Sequence, residues 1–377
     1  MKVIHPEGEA SVLSSSQLGR RAVLEAGAAA TLAALLGPRP AAGAFITNAD
    51  AVKGTWVLQQ ASSVAELDNA MAGALGRALS TPHIAGFSHR VTWESIDQDF
   101  SLLQRGYDIA TARGLLYSPR FMAGRWTPER VFNAGCPYYL KSGTNEKVPR
   151  PFTADGSPNT IFESEWNAFV GRLETWCRSR GVRLMHLSWY GQDWAELNHG
   201  AEVRALTGYT YARWLNAHQR LLGLGLTHAD AYLAVEVPFS GYGPLSSNTG
   251  SPVARDLATY VLNSIGNCRP RFFCQANGWG PTGDWGAPTA ETEAAFDSDV
   301  WPKQLYRGQQ MIQPQDYDNW PGIFQQLYTN KATYCEIYPQ SFYTNAGAPQ
   351  PHLTQLQGEI SRFKNHVLAA TPVPPGC

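Results

Sequence analysis

The stretch RLMHLSWYGQDWAELNHG, residues 183–200, begins as an apolar run and ends in polar residues. A short apolar run is typical of a strand buried in a parallel sheet, and functional residues commonly follow such strands. Here three large aromatic residues and the carboxylates Asp193 and Glu196 come directly after the run. Two interpretations fit this composition. One is a structural loop with a satisfied polar network, and the other is a cleft that binds sugars and contains an acid.

Seven further apolar runs recur along the chain, with helical patterns in most of the gaps between them. The eight runs cover residues 55–60, 83–93, 115–124, 182–191, 231–241, 271–280, 305–312 and 332–339. The helical patterns cover residues 63–80, 95–113, 163–180, 204–224, 252–266, 319–329 and 354–369. This alternation predicts an α/β fold, a (β/α)8 TIM barrel that forms a single domain over residues 45–377.

Two segments rich in Gly, Pro and Asn, residues 125–162 and 281–304, are predicted to be long loops over the catalytic face of the barrel. A doubly wound open sheet is the alternative fold. It has less support, because no glycine-rich phosphate-binding loop follows the first apolar run.

The first 44 residues carry a targeting pattern rather than a part of the fold. The pair Arg20-Arg21 precedes an Ala-rich apolar run over residues 22–36, and Ala-Gly-Ala at residues 42–44 is a small-x-small cleavage pattern. The segment resembles a twin-arginine export signal, with Glu25 where that signal commonly has Lys. The resemblance implies a mature protein that is secreted or held in the cell envelope and has no membrane span. An internal amphipathic helix is the alternative.

The charge balance argues against nucleic acid as a partner. The whole chain has 30 Lys and Arg against 31 Asp and Glu, a formal net charge of −1. Without residues 1–44 these counts become 26 and 28, so there is no basic surplus to neutralise a phosphate backbone. Aromatic residues make up 11% of the chain, enough to supply both a core and flat faces on which sugar rings stack.

All six cysteines lie after residue 44. An even number in an exported protein predicts disulfides, although spacing alone leaves the pairing open. Cys268 and Cys274 are close enough in sequence to close one local loop, which makes them the first expected pair. The chain has no CxxC motif and no His/Cys ligand spacing, so we expect no metal site and no cofactor.

Polar residues at the ends of the apolar runs should meet at one rim, because the parallel strands of a barrel all end on the same face. Carboxylates, amides and guanidinium groups suit a hydroxyl-rich ligand, and aromatic rings suit the apolar faces of sugars. The residues predicted to bind substrate are Arg90, Trp93, Arg120, Tyr190, Asp193, Trp194, Asn277, Trp279, Gln310 and Tyr338.

The stretch GFSHRVTWESIDQDFSLLQRGYDIATARGLLYSPRFMAGRWTP, residues 86–128, resembles the opening of beta-galactosidase-like members of the clan A glycoside hydrolases. The shared pattern is an Arg-bearing strand that ends in Trp, a helix, and a second strand that ends in a Thr-Pro turn. The resemblance implies an acid/base Glu after the fourth strand and a nucleophilic Glu at the end of the seventh. Glu196 matches the first position, with Ala195 in place of the usual Asn. The seventh run has no Glu, and Glu336 lies on the eighth.

Hydrolysis of a glycosidic bond needs one protonated and one ionised carboxyl group beside the bond. Glu196 lies close to Tyr190 and Trp194 in sequence, apolar neighbours that are expected to raise its pKa and favour the role of acid/base. Glu336 is the predicted nucleophile or base, and Glu236 is the reserve.

Each of these carboxylates also has a structural interpretation. Glu196 could cap the following helix, and Glu336 or Glu236 could pair with a barrel-interior arginine such as Arg90 or Arg120.

Taken together, these features of the sequence predict a monomeric, secreted glycoside hydrolase that acts on an extracellular or cell-wall polysaccharide. The alternatives are a non-catalytic carbohydrate-binding barrel of the cell envelope and an envelope protein with no small ligand.

Overall fold

Eight parallel strands close into a barrel in the computed structural model of this protein. The described residues belong to one compact unit, Ile46–Cys377. In the strands over residues 234–240 and 272–279 only the backbone is described. The structure describes residues 53–188, 200–228, 234–240, 260, 272–279, 307–311, 314–329 and 331–369.

The strands follow one another around the barrel in chain order. They are β1 Gly54–Gln60, β2 Ile84–Thr92, β3 Leu116–Met122, β4 Leu184–Ser188, β5 Ala234–Ser240, β6 Phe272–Trp279, β7 Arg307–Met311 and β8 Tyr334–Ile337. Each strand pairs in parallel with the next, and β8 pairs with β1 to close the ring. Because every strand overlaps one of the eight predicted apolar runs, the predicted barrel is confirmed and the open sheet is not formed.

Helices lie in the gaps between the strands and form the outer layer. The described helices are α1 Val64–Ala72, α2 Ala74–Ala78, α3 Trp93–Ile96, α4 Ser101–Thr111, α5 Glu129–Asn133, α6 Thr160–Ser179, α7 Gly200–Arg204, α8 Tyr211–Thr227, α9 Trp320–Thr329 and α10 Leu353–Ala369. The predicted loop 281–304 and, except for residue 260, the predicted helix 252–266 lie outside the described residues. Within the described part of the chain, no helix combines the length and hydropathy needed to cross a membrane.

The first helical segment begins at a serine cap and divides at a glycine. The Ser63 hydroxyl accepts a hydrogen bond from the Glu66 amide at 3.2 Å. The Glu66 carboxylate accepts one from the Ser62 amide at 2.6 Å, one residue before the donor of a capping box. The predicted single helix over residues 63–80 is divided at Gly73 into α1 and α2. A Cβ at this glycine would lie 2.5 Å from the carbonyl oxygen of Asn345. The glycine therefore allows the loop after β8 to pack closely against the point where the helix divides.

The segment over residues 125–162, predicted as a loop, contains α5 and a small antiparallel hairpin. The hairpin pairs Tyr138–Leu140 with Lys147–Pro149. Val131 and Phe132 of α5 are buried in the core, which ties the segment to the barrel. Elements of three to five residues are too short to produce a periodic sequence pattern, so the sequence did not predict them.

Inside the barrel, large aromatic side chains pack against a glycine, whose lack of a side chain leaves room for them. The rings of Trp56 on β1 and Tyr334 on β8 lie 5.4 Å apart, and both side chains are fully buried. Gly86 of β2 pairs in register with Trp56, and a Cβ there would lie 2.5 Å from the indole ring. These rings fill the barrel interior as a packed core. Polar side chains occupy the interior beyond them, toward the carboxyl ends of the strands.

Candidate functional site

An ion pair between Arg120 of β3 and Glu336 of β8 crosses the barrel interior. The Nη2 atom of Arg120 lies 2.8 Å from Oε2 of Glu336. The side chains are 3% and 0% exposed, so neither charge reaches solvent. Removing two charges from water costs several kcal/mol per ion, which only close pairing and hydrogen bonding can offset. The structure therefore shows the pairing of Glu336 with a barrel-interior arginine.

Three further side chains hold this pair in place. Arg120 Nη1 donates to Oε1 of Gln310 at 3.0 Å, and Arg120 Nη2 lies 2.9 Å from Nδ1 of His186. The hydroxyl of Tyr334 donates to Oε1 of Glu336 at 2.7 Å. Because a guanidinium only donates, Nδ1 of His186 must accept, which assigns a proton to Nε2. That nitrogen lies 3.3 Å from the Tyr334 hydroxyl, whose oxygen accepts from it.

The surroundings keep Glu336 ionised. Burial raises the pKa of this carboxyl, but the positive charge of Arg120 and the Tyr334 hydrogen bond oppose that effect, and the net result is a pKa of about 2. An ionised carboxylate is the state that a glycosidase nucleophile or base requires. Its complete burial, however, places Glu336 beneath the surface of the barrel mouth.

Arg90 and Tyr338 lie one layer closer to solvent. Arg90 is the antepenultimate residue of β2, Tyr338 directly follows β8, and both are partly exposed. Arg90 Nη1 donates to the Tyr338 hydroxyl at 3.3 Å. These two predicted binding residues therefore meet at the mouth, as Arg120 and Gln310 meet below it.

Glu94, which is not among the predicted site residues, has a raised pKa at the same end of the barrel. It is the second residue of α3, directly after β2. Although the residue is exposed, partial burial of its carboxyl group raises the pKa, and the negative charge of Glu146 adds to the effect. Glu146 lies 3.6 Å from Nη1 of Arg125. The position of Glu94 directly after a strand is the sequence signal that points to it.

Trp93 belongs to the core in this structure. It is fully buried, and its indole N–H donates to Oδ1 of Asp97 at 3.1 Å. Its ring packs against three phenylalanines: Phe121, Phe162 and Phe169. A buried ring offers no face to a sugar, so Trp93 is left out of the candidate site.

Three predicted site residues lie on strands whose side chains are not described. Glu236 lies in β5. Asn277 of β6 pairs in register with Gln310 of β7, and Trp279 pairs with Met311. The backbone therefore brings Asn277 beside a residue of the buried network. Four others lie outside the described residues, and their roles stay predictions: Tyr190, Asp193, Trp194 and Glu196.

Three cysteines in the described part of the chain have free, buried thiols: Cys136, Cys177 and Cys335. Burial raises the pKa of Cys136 to about 11 and raises the pKa values of Cys177 and Cys335 further. Thiols in this state are poor nucleophiles. Cys268 and the side chain of Cys274 lie outside the described residues, so a disulfide between these two stays a prediction.

Comparison with known proteins supports the architecture. No family model and no curated protein matches the sequence. The catalytic domain of beta-amylase from Paenibacillus polymyxa is similar in structure, with 10% identity and a TM-score of 0.52 over 85% of this chain and 99% of that one. A glycoside hydrolase family 30 subfamily 8 xylanase from Clostridium acetobutylicum aligns with 11% identity and a TM-score of 0.42, over 83% of this chain and 71% of that one. At such identity the beta-amylase similarity supports the fold alone, and the chain shares the barrel architecture of that domain.

Proposed function

We propose that the protein is a glycoside hydrolase with its cleft at the carboxyl ends of the barrel strands. The observation that carries the proposal is the ionised Glu336, anchored by Arg120 below a polar rim. A fixed carboxylate supplies the nucleophile or base of glycoside hydrolysis. The fold shared with a beta-amylase domain accords with a carbohydrate substrate, but a barrel fold alone does not assign one.

The reaction also needs a protonated carboxyl group, and two residues are candidates. Glu196 follows β4, the position expected from the resemblance to clan A enzymes. Glu94 follows β2 and has a raised pKa, the direction that favours a proton donor. We assign the acid/base role to Glu196 and retain Glu94 as the alternative donor.

The substrate is proposed to be an extracellular or cell-wall polysaccharide, because the leader over residues 1–44 resembles an export signal. Export through the twin-arginine pathway predicts that replacing Arg20 and Arg21 with Lys retains the protein in the cytoplasm. Fractionation of cells that express each form measures this directly. Normal secretion of the double variant would contradict the assignment.

A non-catalytic carbohydrate-binding barrel is the second candidate, and one observation favours it. Glu336 is 0% exposed, and its two carboxylate oxygens accept hydrogen bonds from Arg120 and Tyr334. A carboxylate in this position must become exposed before it can attack an anomeric carbon. A barrel that only binds sugars needs no such rearrangement.

The test is sugar release from a panel of cell-wall and plant polysaccharides, followed by variants on any substrate found. Glu196→Gln should lower turnover by about 10²–10⁴-fold with binding intact, because general acid–base assistance is worth that much. Trp194→Ala should raise KM more than it lowers kcat. Azide should rescue Glu336→Ala if Glu336 is the nucleophile, since a small anion fits the vacated space.

Glu174→Gln is the matched control, because Glu174 lies on α6 and pairs with Arg178 of the same helix. It should retain full activity. If Glu196→Gln keeps full activity and Glu94→Gln loses it, Glu94 is the acid. Sugar binding by the wild-type protein without release from any polymer would favour the carbohydrate-binding candidate.

A further inference from the structure

Two arginines, one at the barrel mouth and one just below it, lie on neighbouring strands. Arg90 of β2 pairs in register with Arg120 of β3, and neighbouring strands are separated by about 4.8 Å. Like charges on adjacent side chains repel each other, most strongly where water does not screen them. A negative group close to the pair lowers this cost.

Of these two arginines, only Arg120 forms an ion pair with a described side chain. Its partner is Glu336 at 2.8 Å. Arg90 is in contact with the neutral hydroxyl of Tyr338, and it forms no ion pair with any described residue. Its Nε atom is buried and has no hydrogen-bond partner in the described part of the chain. Buried donors are almost always paired, so an unpaired one calls for a specific explanation.

The position of Arg90 suits a ligand. Arg90 is partly exposed, whereas Arg120 is 3% exposed, so a molecule in the mouth can reach only the first. Two residues further along β2, on the same face, the Thr92 hydroxyl is buried without a described partner. An unneutralised guanidinium beside hydroxyl groups matches a sugar that carries a negative charge, since guanidinium binds carboxylates with two parallel hydrogen bonds.

We propose that Arg90 and Tyr338 form a subsite for a negatively charged substituent of a sugar ring. The inference rests on the proposed function and deepens it: the substrate is an acidic polysaccharide. Uronic acid carboxylates and sulfate esters share the required chemistry. Arg90 then supplies charge and orientation for binding, and the acidic group of the ligand pairs with its guanidinium.

The experiment is calorimetric titration of the full mature protein with charged oligosaccharides and their neutral counterparts. Uronate oligosaccharides are compared with their methyl esters, and sulfated oligosaccharides with their desulfated forms. The wild-type protein should bind one charged form more tightly than its neutral counterpart. Arg90→Gln should weaken binding of the charged form by about 10–100-fold, the usual effect of losing a charged hydrogen bond, and should leave the neutral form nearly unchanged.

Arg90→Lys retains the positive charge but lacks the planar guanidinium group. Its affinity for the charged form should therefore lie between those of the wild type and Arg90→Gln. Arg125→Gln is the control, because Arg125 already pairs with Glu146 and lies over the Trp126 ring; its affinities should match the wild type. Melting temperatures of all variants separate loss of binding from loss of folding.

Equal affinity of the wild-type protein for charged and neutral forms would overturn the subsite, as would an equal loss of both in Arg90→Gln. If a neutral polysaccharide is nevertheless cleaved, the proposed function stands without the subsite. If no oligosaccharide binds and no polymer is cleaved, the proposed function fails as well.

Discussion

Glu336 and Arg120 depend on each other for their place inside the barrel. Both are withdrawn from solvent, so loss of one partner leaves an uncompensated buried charge. Such a loss typically costs about 3–5 kcal/mol, whereas replacing both partners with uncharged residues is often neutral. The surface pair of Glu129 and Lys147 is different, because Glu129 is 62% exposed and solvent screens exposed pairs.

Glu336→Gln should therefore lower the free energy of unfolding by about 3–5 kcal/mol at neutral pH. Combining Glu336→Gln with Arg120→Met should recover part of that loss. Glu129→Gln alone should change the free energy of unfolding by less than about 1 kcal/mol. Urea unfolding measures all three. Equal effects of the buried and surface variants would contradict the argument.

The same pair predicts a loss of stability in acid. The pKa of Glu336 is lowered from 4.5 to about 2 in the folded protein. A depressed pKa contributes stability that is complete above the unfolded value and declines as pH falls toward the folded value. The stability difference between wild type and Glu336→Gln should thus shrink between about pH 4.5 and pH 2. A difference that stays constant over this range would show that Glu336 is not ionised in the folded state.

At the scale of elements, α4 approaches the barrel through a glycine. A Cβ at Gly106 would lie 2.4 Å from Nδ1 of His89 and 2.9 Å from the Tyr117 side chain. These two residues of β2 and β3 are themselves joined, with His89 Nδ1 2.9 Å from the Tyr117 hydroxyl. The missing side chain allows the helix to pack closely against both strands. In α10, by contrast, a Cβ at Gly358 would meet nothing within 4 Å.

Gly106→Ala and Gly358→Ala should consequently change stability in opposite directions. Alanine at position 106 must displace His89 or Tyr117, and overpacking of this kind costs about 1–3 kcal/mol. Alanine at position 358 gains about 0.5–1 kcal/mol from helix propensity alone. Thermal unfolding of both variants measures the difference, and stabilisation by Gly106→Ala would show that the contact is not close.

The folded molecule as a whole protects three cysteine thiols. Cys136, Cys177 and Cys335 lie in separate parts of the chain, and all are buried. Because burial also raises the pKa of each thiol, the reactive thiolate is scarce in the native state. Their labelling therefore reports global unfolding rather than a local change.

An alkylating reagent should leave these three thiols unlabelled in the native protein and label all three in denaturant. Mass spectrometry of the peptides identifies each site. If Cys268 and Cys274 form the expected disulfide, they should be labelled only after reduction. Labelling of those two in unreduced, denatured protein would rule out the bridge, and rapid native labelling of Cys177 would contradict its burial.

The eight barrel strands were predictable from local patterns. Each apolar run marks a segment that must be buried, and the helical patterns between them allow only parallel neighbours. The cap at Ser63 is also a local feature, because it involves residues three apart in the sequence. The hairpin over Tyr138–Leu140 and Lys147–Pro149 was not, since three-residue strands have no measurable period.

The partners inside the barrel depended on the tertiary structure. Glu336 meets Arg120 across 216 positions of sequence, and Tyr338 meets Arg90 across 248. Periodicity identifies a buried face, but it does not identify the side chain on the opposite side of the barrel. Trp93 shows the same limit, because its place after a strand predicted a rim residue and the packing of α6 made it core. The sequence by itself determined the strands and the polar character of their ends. Closure of the barrel decided which charged side chains meet, because strand order and register set the distances between them.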